Sequence, residues 1–429
     1  MKTVKFYTLG CKVNQYDTQS IREGFLDAGF NEIDNGSGAD IYIINTCTVT
    51  QRADSESLSL IRKARRQNPK AKIIVTGCLA ELDKDKIKEQ GGVSLIVRNR
   101  DKGRITELLK YKNKPSEING HNEINDKGIT NFSGHTRAFL KIQDGCNNFC
   151  SYCKVSFVRG PSRSKPLKAI IKEARKLAEN NFKEIVLSGI CLGAYGKDFP
   201  DRVNLTKVIG ELENIEGLLR IRLSSIEAGD VSEELIKKMA ESEKLCPHLH
   251  IPIQSGDSGI LKKMNRRYTR KDYINLIGKI RKGIPGIAIT TDVLVGFPGE
   301  TENNFRNTLS LIKEIQPLRT HIFPYSKREG TIAADFKESI NPVIIRERID
   351  ILRDAARGCA LEYKRQFLNK KMQVLVEERT RESKSLWEGY ADNYIKVVIS
   401  SRLNLKNRLI TVKFKKIVKD SALAIFVDR

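Results

Sequence analysis

The sequence predicts an α/β protein in three parts: an N-terminal parallel-sheet α/β domain, a central partial (β/α)6 barrel, and a small all-β barrel at the C-terminus. Three observations carry this expectation. Short apolar strands alternate with amphipathic helical stretches up to residue 110. The alternation resumes, with longer elements, from Ala138 to about Leu368. From Asn369 onward, "MQVLVEE", "LWEGYADNYIKVVIS", "RLITVKFKKIV" and "SALAIFVDR" read as strands with no helix between them. A chain of 429 residues exceeds what one hydrophobic core usually serves, so separate domains are expected at 1–110, 138–368 and 369–429. Residues 111–137 are polar, contain Gly and Pro and lack periodicity, so they read as a linker.

In the first domain "TVKFYTLG" runs into Cys11, "DIYIINT" into Cys47 and "AKIIVTG" into Cys78. Helical stretches lie between them, with Asp17 and Asp54 as expected N-caps. Repeated strand–helix units build a parallel sheet through right-handed crossovers, and all strand C-terminal ends then share one edge, where ligands bind. Three cysteines in the same register just past three strands are therefore expected to converge. Buried cysteine as a small hydrophobe does not explain that register.

The central regime offers six strands: "AFLKIQDG", "EIVLSGI", "RIRLSSIE", "HLHIPIQSG", "ITTDVLVGFPG" and "RTHIFPYS". Functional residues of a (β/α) barrel gather at the strand C-terminal ends. After the first strand comes "DGCNNFCSYC", a CxxxCxxC run of Cys146, Cys150 and Cys153. Structural zinc calls for four ligands and no histidine lies nearby; His248, His250 and His321 sit on later strands, and a distant one completing a zinc site stays open as an alternative. Three thiolates also suit a four-iron cluster that keeps one iron free of protein ligands.

The formal net charge of +24 points to a polyanionic partner, most often nucleic acid, against the blander reading of a solvated basic surface. In the tail, Lys and Arg outnumber acids about two to one. The apolar runs are of strand length, far short of a membrane span, and "MKTVKFYTLGC" reads as a strand rather than a signal peptide. A cytoplasmic protein is expected, with cysteines kept reduced for metal or catalysis.

The CxxxCxxC loop after the first barrel strand, with Tyr152 before its last cysteine, resembles the radical S-adenosylmethionine (SAM) superfamily. Together with "TLGCKVNQYDT", "INTCTVT", "VTGCLAEL", "RGPSRSK", "HLHIPIQSG", "MNRRYT" and "GFPGETE", the chain resembles the methylthiotransferases over nearly its whole length. That resemblance implies a TRAM-type C-terminal barrel, SAM as cofactor and two [4Fe-4S] clusters. Cys146, Cys150 and Cys153 would hold one, and Cys11, Cys47 and Cys78 the other. It implies a 5′-deoxyadenosyl radical reaction that places a methylthio group on carbon 2 of an adenine. Such a C–H bond is unactivated, so no conventional acid–base pair is assigned. "KVNQYDT" resembles the branch acting on threonylcarbamoyl adenosine of tRNA, 3′ of the anticodon. Isopentenyl adenosine or a ribosomal-protein aspartate are the alternative substrates, and a metal-containing RNA-binding protein is the non-enzymatic one. Expected partners are tRNA and an external electron donor, with no membrane and no DNA partner.

Candidate SAM contacts are Tyr152, Ser188, Gly189, Glu227, Gln254, Arg266 and Gly296, with Gly299 shaping the same turn. Each has a plain alternative: a packed aromatic, a loop anchor, or, for Arg266, a tRNA phosphate contact. Cys191, Cys246 and Cys359 read as structural. Trp387 and Tyr390 read as core packing before base stacking.

Overall fold

The computed structural model describes every residue except 35–37, 111–127, 202, 382, 384 and 428–429. Most of the expected linker therefore lies outside the described residues. Its end does not: Ile129 and Phe132 are buried in the core of the central barrel, and the backbone N–H groups of Thr130 and Asn131 donate to Glu23.

The N-terminal sheet contains β1 (Thr3–Thr8), β2 (Asn31–Glu32), β3 (Ile41–Thr46), β4 (Lys72–Gly77) and β5 (Val93–Ile96), ordered β2-β1-β3-β4-β5. Every pairing is parallel. Strand β3 lies in the middle and is buried along all of "IYIINT", the continuous apolar run that a strand covered on both faces requires. Ile41, Ile43 and Ile74 meet Ile21 and Phe25 of helix Lys12–Asp27. Their neighbours Tyr42, Ile44, Ile73 and Val75 meet Ile61 and Ala64 of helix Gln51–Gln67 on the other face. Thr8 pairs with Asn45 and Thr46 with Gly77, so the three cysteine-bearing strand ends are in register.

Two helix starts differ from expectation. The first helix begins at Lys12, capped from Cys11, and Asp17 lies inside it. The second is capped by Thr50, whose side chain accepts from the Ala53 N–H; Asp54 sits in its first turn. Neither aspartate caps because each is spent on a long-range ion pair.

The central domain contains β6 (Ala138–Lys141), a short hairpin of β7 (Gln143–Asp144) and β8 (Arg163–Ser164), then β9 (Glu184–Ser188), β10 (Arg220–Leu223), β11 (His248–His250), β12 (Ala288–Val295) and β13 (Arg319–Pro324). Strands β6-β9-β10 and β11-β12-β13 form two parallel sheets, joined by parallel bridges at Ile221–Leu245 and Ser225–His250. The six expected strands thus run in sequence order and leave a seam between β6 and β13. Strands β14 (Lys371–Arg379), β15 (Leu386–Ala391), β16 (Lys396–Ser400), β17 (Leu409–Val418) and β18 (Ser421–Phe426) close a separate barrel around Val374, Trp387, Val397, Ile399 and Phe414. Among the described residues no helix is long and apolar enough to cross a membrane.

The first two domains are locked by buried charge. Asp17 lies 2.8 Å from Lys102, 2.7 Å from Lys141 of β6 and 3.2 Å from Arg159, which also pairs with Asp144 at 3.1 Å. All five are at most 6 % exposed. Burial alone would raise the Asp17 carboxyl, but Lys102, Lys141 and Arg159 outweigh it and hold it well below the usual carboxylate range.

Removing one partner of such a set leaves uncompensated buried charge. Asp17→Asn is expected to cost about 3–5 kcal/mol in urea unfolding at neutral pH. The folded-state pKa is depressed, so Asp17 contributes fully above its unfolded value of about 3.9 and its contribution is lost as pH falls below it. The acid limb of the stability curve is therefore expected to be shallower in the variant than in the wild type.

Candidate functional site: a cysteine edge facing the barrel cavity

The strand ends of the N-terminal sheet are tied together by side chains. Asn14 Nδ2 donates to the carbonyls of Leu9 (2.7 Å) and Thr46 (3.0 Å), and Asn45 Nδ2 donates back to the Asn14 carbonyl (2.8 Å). Thr46 Oγ1 donates to the Thr76 carbonyl, and Ser57 Oγ donates to the Cys47 carbonyl at 3.1 Å. Gly10 has φ +98°, and a Cβ there would stand 2.9 Å from the Cys47 sulfur; Gly77 has φ +99°, and a Cβ would stand 2.3 Å from the Thr46 carbonyl. Both need glycine, and each directly precedes a cysteine of the edge. The edge brings Cys11, Cys47 and Cys78 onto one cavity of about 640 Å³. Cys11 is exposed, Cys47 and Cys78 are buried, and burial pushes the Cys47 thiol up to about 11.

The opposite wall is the barrel. Val155 and Arg159, just beyond the CxxxCxxC run, line the same cavity, as do Gly189, Ser224, Ser225 and strand residues down to Tyr394 of the C-terminal barrel. Arg159 also bonds Asn14 Oδ1, so the residue that anchors the second cysteine loop grips the first cysteine edge. From the end of β13, Arg328 donates to Thr48 Oγ1 (2.7 Å) and pairs with Asp54 (2.7 Å), fixing the loop after Cys47. Val49 and Phe323 line the cavity yet remain exposed, marking its mouth beside the β6–β13 seam.

Around the second triad, the Asn148 N–H points at the Cys146 sulfur (3.5 Å), the Val155 N–H at the Cys153 sulfur (3.4 Å), and Arg266 Nη1 at the Cys150 sulfur (3.4 Å). Burial pushes the Cys153 thiol up to about 12 and raises Cys150. Glu227 pairs with Arg266 at 2.7 Å; burial raises its carboxyl, and Arg266 only partly opposes that. Cys191 lies beside this triad: it accepts from Asn148 Nδ2 (3.6 Å), its thiol donates to Asp230 Oδ2 (3.5 Å), and a hydrogen bond with Cys146 lowers the Cys146 thiol pKa.

The remaining candidates separate. Tyr152 packs edge-on against Phe297 (6.4 Å). Ser188 is buried and its hydroxyl donates to the Val186 carbonyl, whereas Gly189 lines the cavity. Gln254 has φ +68° and bridges by backbone to β12. Gly296 and Gly299, both at positive φ, shape a turn held by Glu300 and Arg348, away from the cavity lining. Cys246 and Cys359 are buried apart from both triads. Trp387 fills the C-terminal core, and Tyr390 stacks on Tyr394 at 5.1 Å. A cluster the sequence reading passed over is His250, Asp292 and His321: Asp292 accepts from His250 Nε2 (3.2 Å) and His321 Nδ1 (3.0 Å) within the cavity. The register pairing Asp292 with His321 is its only signal, and it is non-local.

The donor sets distinguish between metals. A zinc ion with Zn–S of about 2.3 Å draws thiolates to within roughly 4 Å of one another. Among the described residues, the group whose ligand atoms all lie within 4.8 Å is His250, Asp292 and His321, and neither cysteine triad is drawn in so tightly. The barrel-loop triad, wider than that and with N–H donors aimed at its sulfurs, suits a four-iron cluster, with the Cys191 thiol beside Cys146 as a further sulfur.

Comparison with known proteins agrees with this geometry. Residues 3–98 match the model of uncharacterized protein family UPF0004, and residues 140–312 that of the radical SAM superfamily. The chain is 41 % identical to the threonylcarbamoyladenosine tRNA methylthiotransferase MtaB of Bacillus subtilis, over 97 % of this chain and 94 % of that protein. It is 36 % identical to the protein of the same name from Thermotoga maritima, over 92 % and 91 % of the two chains. In fold it resembles the radical SAM methyltransferase TsrM of Kitasatospora setae, with a TM-score of 0.56 at 15 % identity, covering 78 % of this chain and 77 % of that one. With a three-cysteine edge facing a radical SAM-type barrel and relatives this similar along nearly its entire length, the chain belongs to the MtaB-type methylthiotransferases of the radical SAM superfamily.

Proposed function

We propose that this protein replaces the C2 hydrogen of N6-threonylcarbamoyladenosine, 3′ of the anticodon in tRNA, by a methylthio group. The observation that carries this reading is the single cavity shared by the Cys11–Cys47–Cys78 edge and the barrel lumen. The superfamily binds SAM and a [4Fe-4S] cluster, and Cys146, Cys150 and Cys153 are the residues proposed to hold that cluster here. A second cluster on Cys11, Cys47 and Cys78 belongs to the same proposal. When bound, these groups supply the radical and sulfur chemistry that an unactivated C–H bond requires.

The chain's own residues do the rest. N–H groups of Asn148 and Val155 and the Arg266 guanidinium stabilise negative sulfur in the barrel loop. Arg266, paired with Glu227, and Gly189 are proposed SAM-side contacts, and Tyr152, Ser188, Gln254 and Gly296 are proposed to act through packing and backbone shape. Enclosure between two domains excludes water and orients the reactants. Exposed Val49 and Phe323 at the mouth suit a base splayed from an RNA loop. Within this proposal residues 1–110, 138–368 and 369–429 are the working domains, and the basic C-terminal barrel is the TRAM-type contact for tRNA phosphates. The reductant is an external donor, and the setting is cytoplasmic.

Anaerobic reconstitution is expected to give about eight irons per chain, falling to about four in either Cys150→Ser or Cys47→Ser. Colourless protein holding zinc would refute both cluster assignments. In a strain lacking the gene, mass spectrometry of tRNA nucleosides is expected to show loss of the methylthiolated threonylcarbamoyl adenosine with its unmethylthiolated precursor accumulating. Persistence of that nucleoside, with loss of a methylthiolated isopentenyl adenosine instead, would overturn the substrate.

A further inference from the structure

Below the cysteine edge the cavity descends the lumen to the N-terminal ends of the strands, where its wall turns cationic through Lys12, Arg137, Arg222 and Arg319. Two of these charges are accounted for. Arg137 pairs with Glu377 at 2.5 Å, and Arg222 pairs with Glu184 at 2.7 Å while donating to the Ala391 and Asp392 carbonyls. Arg319 and Lys12 differ: among the described residues neither has an ion pair or a hydrogen bond. Arg319 lies 5.7 Å from the ring centre of Tyr394, and Lys12 lies 5.9 Å from that of Phe139. Both are half-buried. Asp292 is the acidic side chain of the lining, and it is already committed to His250 and His321. The two free cations line this one cavity together with buried His248, which burial keeps neutral, with Arg222, His250, Lys12 and Arg319 acting in the same direction.

Half-buried cations without counter-charge, in a concave site, cost free energy until a ligand brings an anion. We infer that Arg319 and Lys12 form the subsite for the carboxylate of the threonylcarbamoyl substituent, an inference that rests on the function proposed above. The substituent carries one carboxylate and one hydroxyl on a short chain, and a carboxylate matches the guanidinium fork of Arg319. Tyr394 backs that guanidinium from the C-terminal barrel, and Lys12 reaches in from the helix that starts at Cys11. The same pair discriminates against a hydrocarbon substituent such as isopentenyl, which would bury both cations unpaired. Arg319 and Lys12 are thus specificity-determining residues. The sequence signal is small: Lys12 opens "KVNQYDT", and Arg319 opens the last barrel strand.

The test is binding by the reconstituted full-length protein, measured by fluorescence anisotropy under anaerobic conditions. Four anticodon stem-loop RNAs are compared, carrying threonylcarbamoyl adenosine, its methyl ester, isopentenyl adenosine or plain adenosine. The wild type is expected to prefer the free acid to the ester by about thirtyfold, or about 2 kcal/mol at 1.4 kcal/mol per tenfold. Arg319→Gln is expected to bring that ratio close to one, Arg319→Lys to retain only part of it because the guanidinium fork is lost, and Lys12→Gln to reduce it partway. Equal binding of acid and ester by the wild type overturns the subsite whatever the variants do. Arg319→Gln weakening all four loops equally, with the acid-to-ester ratio intact, assigns Arg319 to a phosphate and likewise overturns it. A wild type that binds and methylthiolates only the isopentenyl loop refutes the function itself, whereas one that takes acid and ester alike refutes the subsite alone.

Discussion

The relative placement of the two cysteine edges depends on one buried ionic cluster. Lys102, Lys141 and Arg159 meet Asp17 and Asp144, three cations against two carboxylates, where no water can substitute for a lost partner. Asp17 and Lys102 come from the N-terminal domain; Lys141, Asp144 and Arg159 come from β6 and the segment around the CxxxCxxC run. Any sliding of one domain over the other would strand a buried charge, which costs several kcal/mol. The cluster is weak support for overall stability, because well-packed apolar groups would serve as well. Its value is geometric: it accepts one arrangement of the two domains. The cluster also reaches the cavity, since Arg159 lines the space that Cys11, Cys47 and Cys78 line and acts on the thiols of that edge.

Around this anchor, three domains enclose a chamber that none could form alone. The barrel leaves a seam between β6 and β13, and the N-terminal sheet places its strand ends there. Arg328 clasps Thr48 and Asp54 from the barrel side, and Asn99 Nδ2 donates to the Val158 carbonyl from the other. Because the strand ends are in register and cross-tied by Asn14 and Asn45, the cysteines are presented as a rigid set. Rigidity matters for chemistry that depends on near-contact geometry, where small displacements cost large factors in rate.

Much of the architecture was legible in the sequence because its determinants are local. Strand–helix alternation, the tail of strands without helices, and cysteines in common register after three strands all follow from periods of two and 3.6 and from parallel-sheet topology. What was not legible depends on partners far away in the chain. Asp17 looks like a cap until Lys102 and Lys141 surround it. His250, Asp292 and His321 sit on three strands, and only the register brings them together. Cys191 stands near a strand end like any small core residue, yet the β9 loop carries it to Cys146. Arg159, six residues past Cys153, carries no sequence signal, because a lone arginine means nothing until its partners Asp17, Asp144 and Asn14 are known.

The C-terminal barrel does more than add basic surface. Arg220 donates to the Tyr390 and Gln373 carbonyls and Arg222 to those of Ala391 and Asp392, so arginines at the lower ends of the central strands hold the β15–β16 turn by its backbone. That turn places Tyr394, at φ +68°, against His248 (4.6 Å) and beneath Arg222 (4.7 Å), where it forms part of the chamber floor. An appendage tethered only for tRNA affinity has no need to send a strained aromatic residue into another domain's lumen. The geometry instead makes the C-terminal barrel part of the pocket: through Tyr394 it sets the depth to which a group can descend into the lumen. The shape of the pocket floor therefore depends on that barrel, and a change in its seating must alter the pocket itself.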